Sequence, residues 1–298
     1  MTPLERGFLL LTSQLGDPDR KCLTEAQFRI LAQRVTEGDR DAEDRDLTPD
    51  DLIKLGYGRQ MAEQVVLLLS QEDLLEYYLS SAKKAGCVPI TRVSPMYPVE
   101  VRKKLGLNSP GCLWAKGDLS LLGHKKISLV GSRDLNPDNK SFAAEVGRQT
   151  ARQGYVLVSG NARGADRAGQ DAALDAGGCV ISVVADELTQ HNRLDRMLYL
   201  SEDGFDLPFS AQRALSRNRI IHCLGSKTVI AQCALGYGGT WDGTMRNLRG
   251  GWSSVYCYGD GSEAASELEQ MGAYLIGKWD LSEIDALPDS QCTLFDRG

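Results

Sequence analysis

Apolar positions recur at helical spacing over roughly the first third of the chain, then give way to short apolar runs. Leu4, Phe8, Leu9 and Leu11 predict a helix that stops before Gly16-Asp17-Pro18. Phe28, Ile30, Leu31 and Val35 predict a second helix, with Thr24 as its N-cap and Gln27 placed for a capping box. Thr48-Pro49 repeats the start signal, with proline at the first helical position. Leu52–Leu55 and Met61–Leu69 then read as a helical hairpin, a packing module rather than a grip on DNA. Leu74, Leu75, Tyr78, Leu79 and Ala82 carry a last helix to Gly86. Residues 87–118 read as a connector of extended pieces broken by prolines and by the Gly117-Asp118 turn. From Lys125 the apolar runs are Ile127–Val130, Val156–Val158, Cys179–Val184, Thr228–Gln232, Val255–Tyr258 and Ala273–Ile276. They alternate with Ala-rich helical stretches such as Ser141–Gln153 and Arg167–Ala176. Buried strands alternating with helices predict an α/β fold, a doubly wound, mostly parallel sheet covered on both faces. The expected units are a small all-helical domain at 1–86, the connector at 87–118, the sheet domain at 119–281 and a weakly ordered tail at 282–298.

Composition changes this picture only at the margins. Across 298 residues, 42% hydrophobic and 25% charged, the balance is that of a globular chain. No apolar run reaches the roughly 18–20 residues of a membrane span, and the first residues lack the basic segment of a secretion signal. A cytoplasmic protein is the expectation. The net charge of −6 would disfavour a polyanion ligand were it spread evenly. Between Glu37 and Asp51, however, eight acids face two bases, which accounts for the whole imbalance and leaves room for a local basic groove. The cysteines (Cys22, Cys87, Cys112, Cys179, Cys223, Cys233, Cys257 and Cys292) form no CxxC pair, and His124, His191 and His222 show no ligand spacing beside them. Neither a zinc site nor a disulfide scaffold is expected, and the thiols read as small hydrophobes.

Ligands of an open parallel sheet bind beyond the carboxyl ends of its strands. Three predicted strands end in Gly-rich turns that enter helices: Gly131-Ser132-Arg133, Ser159-Gly160-Asn161-Ala162-Arg163-Gly164-Ala165-Asp166, and Gly236-Tyr237-Gly238-Gly239-Thr240-Trp241. Glycine lets the backbone approach a ligand, and the following helix offers unpaired N–H groups that favour anions. Ser132, Ser159 and Thr240 add hydroxyl donors, while Arg133 and Arg163 add guanidinium forks suited to phosphate. One such turn is weak evidence; three on one sheet edge point to a phosphate pocket. Neither the GxGxxG fingerprint nor a Gly-Lys-Ser/Thr loop occurs. A basic run, Arg213 to Arg217-Asn218-Arg219, follows on a predicted helix, where it suits either a solvated surface or phosphate contacts.

Four of these elements occur in the order found in the DNA-processing protein A family (DprA, also called Smf). They are Tyr97-Pro98 with Pro110–Gly117, Val130–Arg133, Ser159–Asp166 and Arg217-Asn218-Arg219-Ile220-Ile221. The chain resembles that family over roughly residues 75–260. The resemblance implies a Rossmann-like core that binds single-stranded DNA without sequence preference. Phosphates would rest on Gly131-Ser132-Arg133, on Ser159-Gly160 with Arg163, and on Arg217-Asn218-Arg219, with Gly238, Gly239 and Thr240 as a further wall. It also implies a homodimer, a RecA-type recombinase as partner, a role in transformation or recombination, and no catalytic step, cofactor or metal. The chain departs from the family pattern at Gln170, Asp186-Glu187, Gln232 and Tyr237–Thr240, and no winged-helix sequence is read after residue 280. Two alternatives use the same crevice: a nucleotide sensor with Trp241 as stacking surface, and a nucleotide phosphoribohydrolase resembling the Lonely Guy enzymes, with Asp242 and Glu202 as its acids.

Overall fold

Residues 1–37 and 47–288 are described by the computed structural model. Most of the acidic stretch, at 38–46, lies outside the described residues, as do 289–298 with Cys292. The chain opens with helices α1 (Pro3–Thr12), α2 (Glu25–Glu37), α3 (Pro49–Lys54), α4 (Arg59–Leu69) and α5 (Glu72–Lys84). Their starts follow the capping logic of the sequence. Thr48 accepts from the Asp51 N–H, and Asp51 accepts from the Thr48 N–H at 2.9 Å. Thr24 and Gln27 make the same reciprocal pair. Leu23, Leu31, Leu52, Val65 and Leu68 form a small core among these helices.

The sheet begins earlier than the apolar runs predicted. The segment read as a connector supplies β1 (Cys87–Thr91), α6 (Val99–Leu105) and β2 (Cys112–Gly117). There follow β3 (Lys126–Val130), α7 (Pro137–Arg152), β4 (Val156–Ser159), α8 (Ala165–Asp175), β5 (Cys179–Val183) and β6 (Met197–Glu202). The chain then runs through α9 (Ala211–Leu224), β7 (Lys227–Ile230), α10 (Gly239–Gly250), β8 (Ser254–Tyr258), α11 (Glu263–Gln270) and β9 (Tyr274–Ile276). The nine strands among the described residues join one sheet in the order β1-β2-β6-β5-β4-β3-β7-β8-β9. β2 runs antiparallel to both its neighbours; every other pair is parallel. Successive strands step outward from β3 to β6 in one direction and from β7 to β9 in the other, so the topological switch lies between β3 and β7.

Strand alternation sends side chains to two cores. Ile127, Leu129, Leu157 and Val229 face α7 and α8, and that layer continues into α1 and α5. Val130, Val158, Ile181 and Ile230 face the opposite layer, which contains α6, α9, α10 and α11. Three sequence expectations change here. β6 has no counterpart among the predicted runs, although every one of its residues is buried. The presumed tail from 282 starts inside a 3-10 turn, Asp280–Ala286, that buries Leu281 and Ile284 in the α7 core, with Leu287 just after it in the same cluster. Trp241, considered as a stacking surface, is 8% exposed and belongs to the core beneath α10. All seven described cysteines are free thiols, and no described helix is long and apolar enough to cross a membrane.

Candidate functional site

The loops that leave β3 and β7 meet over the start of α9 and enclose a cleft of about 580 Å³. Gly131, Ser132 and Arg133 line one wall, Gly238, Gly239 and Thr240 the other, and Arg217 and Asn218 the floor. A smaller hollow of about 300 Å³ adjoins it, sharing Arg133, Ala162 and Arg217 and adding Gly160, Arg163, Asp186 and Phe209. The two form one groove that passes over Arg217.

Arg217 is the unusual residue. Its side chain is buried at 7% exposure, and its Nε and Nη1 have no acceptor among the described residues. Gly160 makes the space, since a Cβ there would overlap the guanidinium. The nearby counter-charge is Asp166, also buried, whose Oδ2 accepts from the Ala162 N–H at 3.1 Å. Burial raises the Asp166 pKa against the pull of Arg217, and burial lowers that of Arg217 against the pull of Asp166. Both shifts agree that desolvation outweighs the mutual attraction, so this pair is no asset to the fold by itself.

The N-terminus of α10 is the second open donor. Gly238 holds φ +90°, a conformation that suits glycine, and no side chain caps the helix it begins. Asn218 steadies this turn by donating to the Gly239 carbonyl at 3.0 Å. The positive end of a 12-residue helix therefore faces the cleft beside Arg217. Arg133 is exposed and makes no ion pair among the described residues, which leaves its fork free.

Other predicted donors are engaged elsewhere or lie out of reach of the groove. The Ser132 N–H and hydroxyl both donate to the Gln232 carbonyl, at 2.9 and 3.2 Å, and so tie the two loops together. Ser159 is fully buried at the strand end, beside Asp166 and outside the groove lining. Arg163 reaches the groove rim but pairs with Asp134 at 2.8 Å, both largely exposed. Arg219 turns away altogether: it donates to Glu202 at 2.7 Å and to the Asn108 carbonyl. The same pairing holds Glu202 buried, and neither Glu202 nor Asp242 lines the cleft. Asp166 and Tyr237, which the sequence placed in the turns without a role, emerge as site residues. Phe209 carried no signal at all, since a single aromatic in a loop has no periodicity to read.

A larger cleft, about 1390 Å³, lies between α1 and α2 and the loops that follow β1, precede β2 and follow β6. Several of its arginines are spent on backbone. Arg20 donates to the Leu10 carbonyl at 2.5 Å and to that of Ser13, and Arg92 to Gly106 and Leu107 at 2.7 and 3.2 Å. Arg213 donates to the Ala185, Leu207 and Pro208 carbonyls, each at 2.9 Å. These groups staple loops, so the smaller groove is the better site for an anion.

The family model described as DNA recombination-mediator protein A matches residues 89–244, the stretch that holds the whole groove. DNA processing protein DprA of Bacillus subtilis is 29% identical over 188 residues, 57% of this chain and 62% of that protein, so the match spans about three fifths of the relative. The X-ray structure of DNA processing protein A from Streptococcus pneumoniae superposes with a TM-score of 0.66 at 22% identity, covering 90% of this chain and 99% of that one. A structure of DNA processing protein A from Helicobacter pylori, described for its single-stranded DNA binding mode, gives 0.52 at 22% identity over 62% of this chain and 87% of that one.

Proposed function

We propose that this chain, which belongs to the DNA recombination-mediator protein A family, binds single-stranded DNA by its backbone and serves in DNA uptake, processing or recombination. The observation that carries it is Arg217, a buried cation with two donors lacking acceptors at the floor of an open groove. A buried donor without a partner costs about 1–3 kcal/mol, and a bound phosphate oxygen removes that cost. The open end of α10 and the free Arg133 add positive field at the same spot. Among the described residues no base-reading constellation lines the groove; its donors suit phosphate, which every nucleotide carries, so sequence preference is not expected. The Helicobacter pylori relative, described for its single-stranded DNA binding mode, supports the choice of ligand.

The test is titration with oligo-dT at several salt concentrations. Single strands release about 0.7 counterions per phosphate contacted, so four to six contacts give a slope of roughly −3 to −4 in log affinity against log salt. Arg133→Ala should weaken binding to all sequences alike and make the slope shallower by about 0.7. A flat salt response, or an Arg133→Ala variant that binds like the parent, rejects the assignment. A second reading, a mononucleotide sensor, draws on the cleft volume, which falls within the range of about 300–1,000 Å³ typical of small-ligand sites. Thermal shift by mononucleotides at micromolar concentration would favour it. A homodimer and a RecA-type recombinase partner belong to the proposal on family grounds, to be checked by sedimentation velocity and by co-purification with a recombinase.

A further inference from the structure

Among the described residues, four aromatic side chains stand exposed: Tyr77, Phe209, Tyr237 and Trp279. Two of the four lie on this groove, at opposite ends. Tyr237, 72% exposed, tops the loop that leads into α10. Phe209, 57% exposed, borders the hollow on the far side of Arg133 and Arg217. Neither ring packs against another ring, and the Tyr237 hydroxyl makes no hydrogen bond among the described residues. Leaving such rings in water forgoes the burial that aromatics ordinarily gain.

Their surroundings suit bases more than phosphates. Leu215, also exposed, lies over Gly239, where a Cβ would meet its Cδ2 at 3.1 Å, so an apolar strip runs beside Tyr237. At the other end Asp186, held by His191 at 2.9 Å, lines the hollow with Phe209. A carboxylate repels a phosphate placed beside it, whereas a neutral base can stack on the ring.

Resting on the phosphate-groove assignment above, we propose that Phe209 and Tyr237 are base-stacking platforms on either side of one phosphate seat at Arg133 and Arg217. The ligand is then a strand of at least two nucleotides crossing the groove, not a mononucleotide. Stacking on an aromatic face is tolerant of base identity, which agrees with a site that reads no sequence.

The experiment compares labelled oligo-dT with an abasic chain of equal length, using the full chain and its Phe209→Ala, Tyr237→Ala and Tyr237→Trp variants by fluorescence anisotropy. The parent should prefer oligo-dT over the abasic chain by about tenfold or more, the scale of one stacked base. Each alanine variant should lose about tenfold on oligo-dT, lose nothing on the abasic chain and keep the salt slope; Tyr237→Trp should bind like the parent. Competition by the dinucleotide pTpT should far exceed that by dTMP. Because both rings are exposed, the variants should keep the parent's unfolding midpoint. If both alanine variants bind oligo-dT like the parent with the salt slope intact, or if dTMP competes as well as pTpT, the platforms are wrong and the phosphate groove stands. If neither oligo-dT nor the abasic chain shows salt-dependent binding, the groove itself fails and the platforms fall with it.

Discussion

Arg217 and Asp166 oppose each other in a way that separates stability from function. Removing the cation alone, as in Arg217→Ala, strands a buried carboxylate and should cost about 3–5 kcal/mol in denaturant unfolding. Replacing both charges, by Arg217→Met with Asp166→Asn, keeps an oxygen for the Ala162 N–H and removes the desolvation of two ions. That double variant should be as stable as the parent, or more stable by about 1–4 kcal/mol, while losing oligo-dT binding. Equal loss of stability in the single and double variants would mean the pair holds the fold. His222, nearby in the cleft wall, gives a pH signature. Burial pushes its pKa down to about 3, while Asn247, oriented by the Ser253 N–H at 2.9 Å, offers an amide N–H to Nδ1 and so leaves the ring proton on Nε2. In the unfolded chain the ring takes a proton near pH 6.5. Between these values the unfolded state binds the extra proton, so this stability is present above about pH 6.5 and is lost toward pH 3. His222→Gln should flatten the acid limb of the urea midpoint against pH, by an amount approaching roughly 4–5 kcal/mol at its lower end.

At the scale of elements, the sequence declared most of the sheet and missed its less regular members for physical reasons. Apart from β6, the strands from β3 onward are apolar runs bounded by turns, and their limits fall within a residue or two of expectation. β1 contains Pro89, which marks a segment as irregular, yet an edge strand tolerates it because one side of its backbone needs no partner. β6 is a short apolar run, Met197–Leu200, closed by Ser201-Glu202 after a charged loop, so its strand signal was present in the sequence although the expected runs omit it. The three Gly-rich turns were legible because glycine and arginine at strand ends have few other uses. Which donors are free was not legible, since Gln232 reaches Ser132 across 100 residues and Glu202 reaches Arg219 across 17. The open end of α10 offers its own test. Thr240→Glu places an acid in the first turn, which should leave stability unchanged or raise it by about 0.3–1 kcal/mol. The same carboxylate would compete for the anion seat, so oligo-dT affinity should fall at least about tenfold at low salt. Undiminished affinity would show that the helix end does not face the ligand.

Across the whole molecule, the boundary expected at residue 86 coincides with a turn, but the cores do not divide there. Leu9 and Leu10 of α1 and Leu75, Tyr78 and Ala82 of α5 belong to the same buried cluster as Ile127, Leu157 and Val229 of the sheet. Tyr78 is the pivot of this junction: its ring packs edge-on to Trp114 with centroids 5.2 Å apart and tilts against Phe205 at 4.9 Å. Its hydroxyl donates to Asp206 at 2.6 Å, just beyond the end of β6. We therefore propose that residues 1–86 are an integral layer rather than a detachable domain, and that heat or denaturant unfolds them together with the sheet. Tyr78→Phe removes only the hydrogen bond and should cost about 0.5–1.5 kcal/mol. Tyr78→Ala also opens a cavity against Trp114, the largest fully buried side chain, and should cost about 3–5 kcal/mol. Tryptophan fluorescence and far-ultraviolet circular dichroism should report one shared midpoint in the parent and in both variants, each shifted by its own amount. Two separate transitions in the parent, with Tyr78→Ala moving only the first, would restore the boundary at 86.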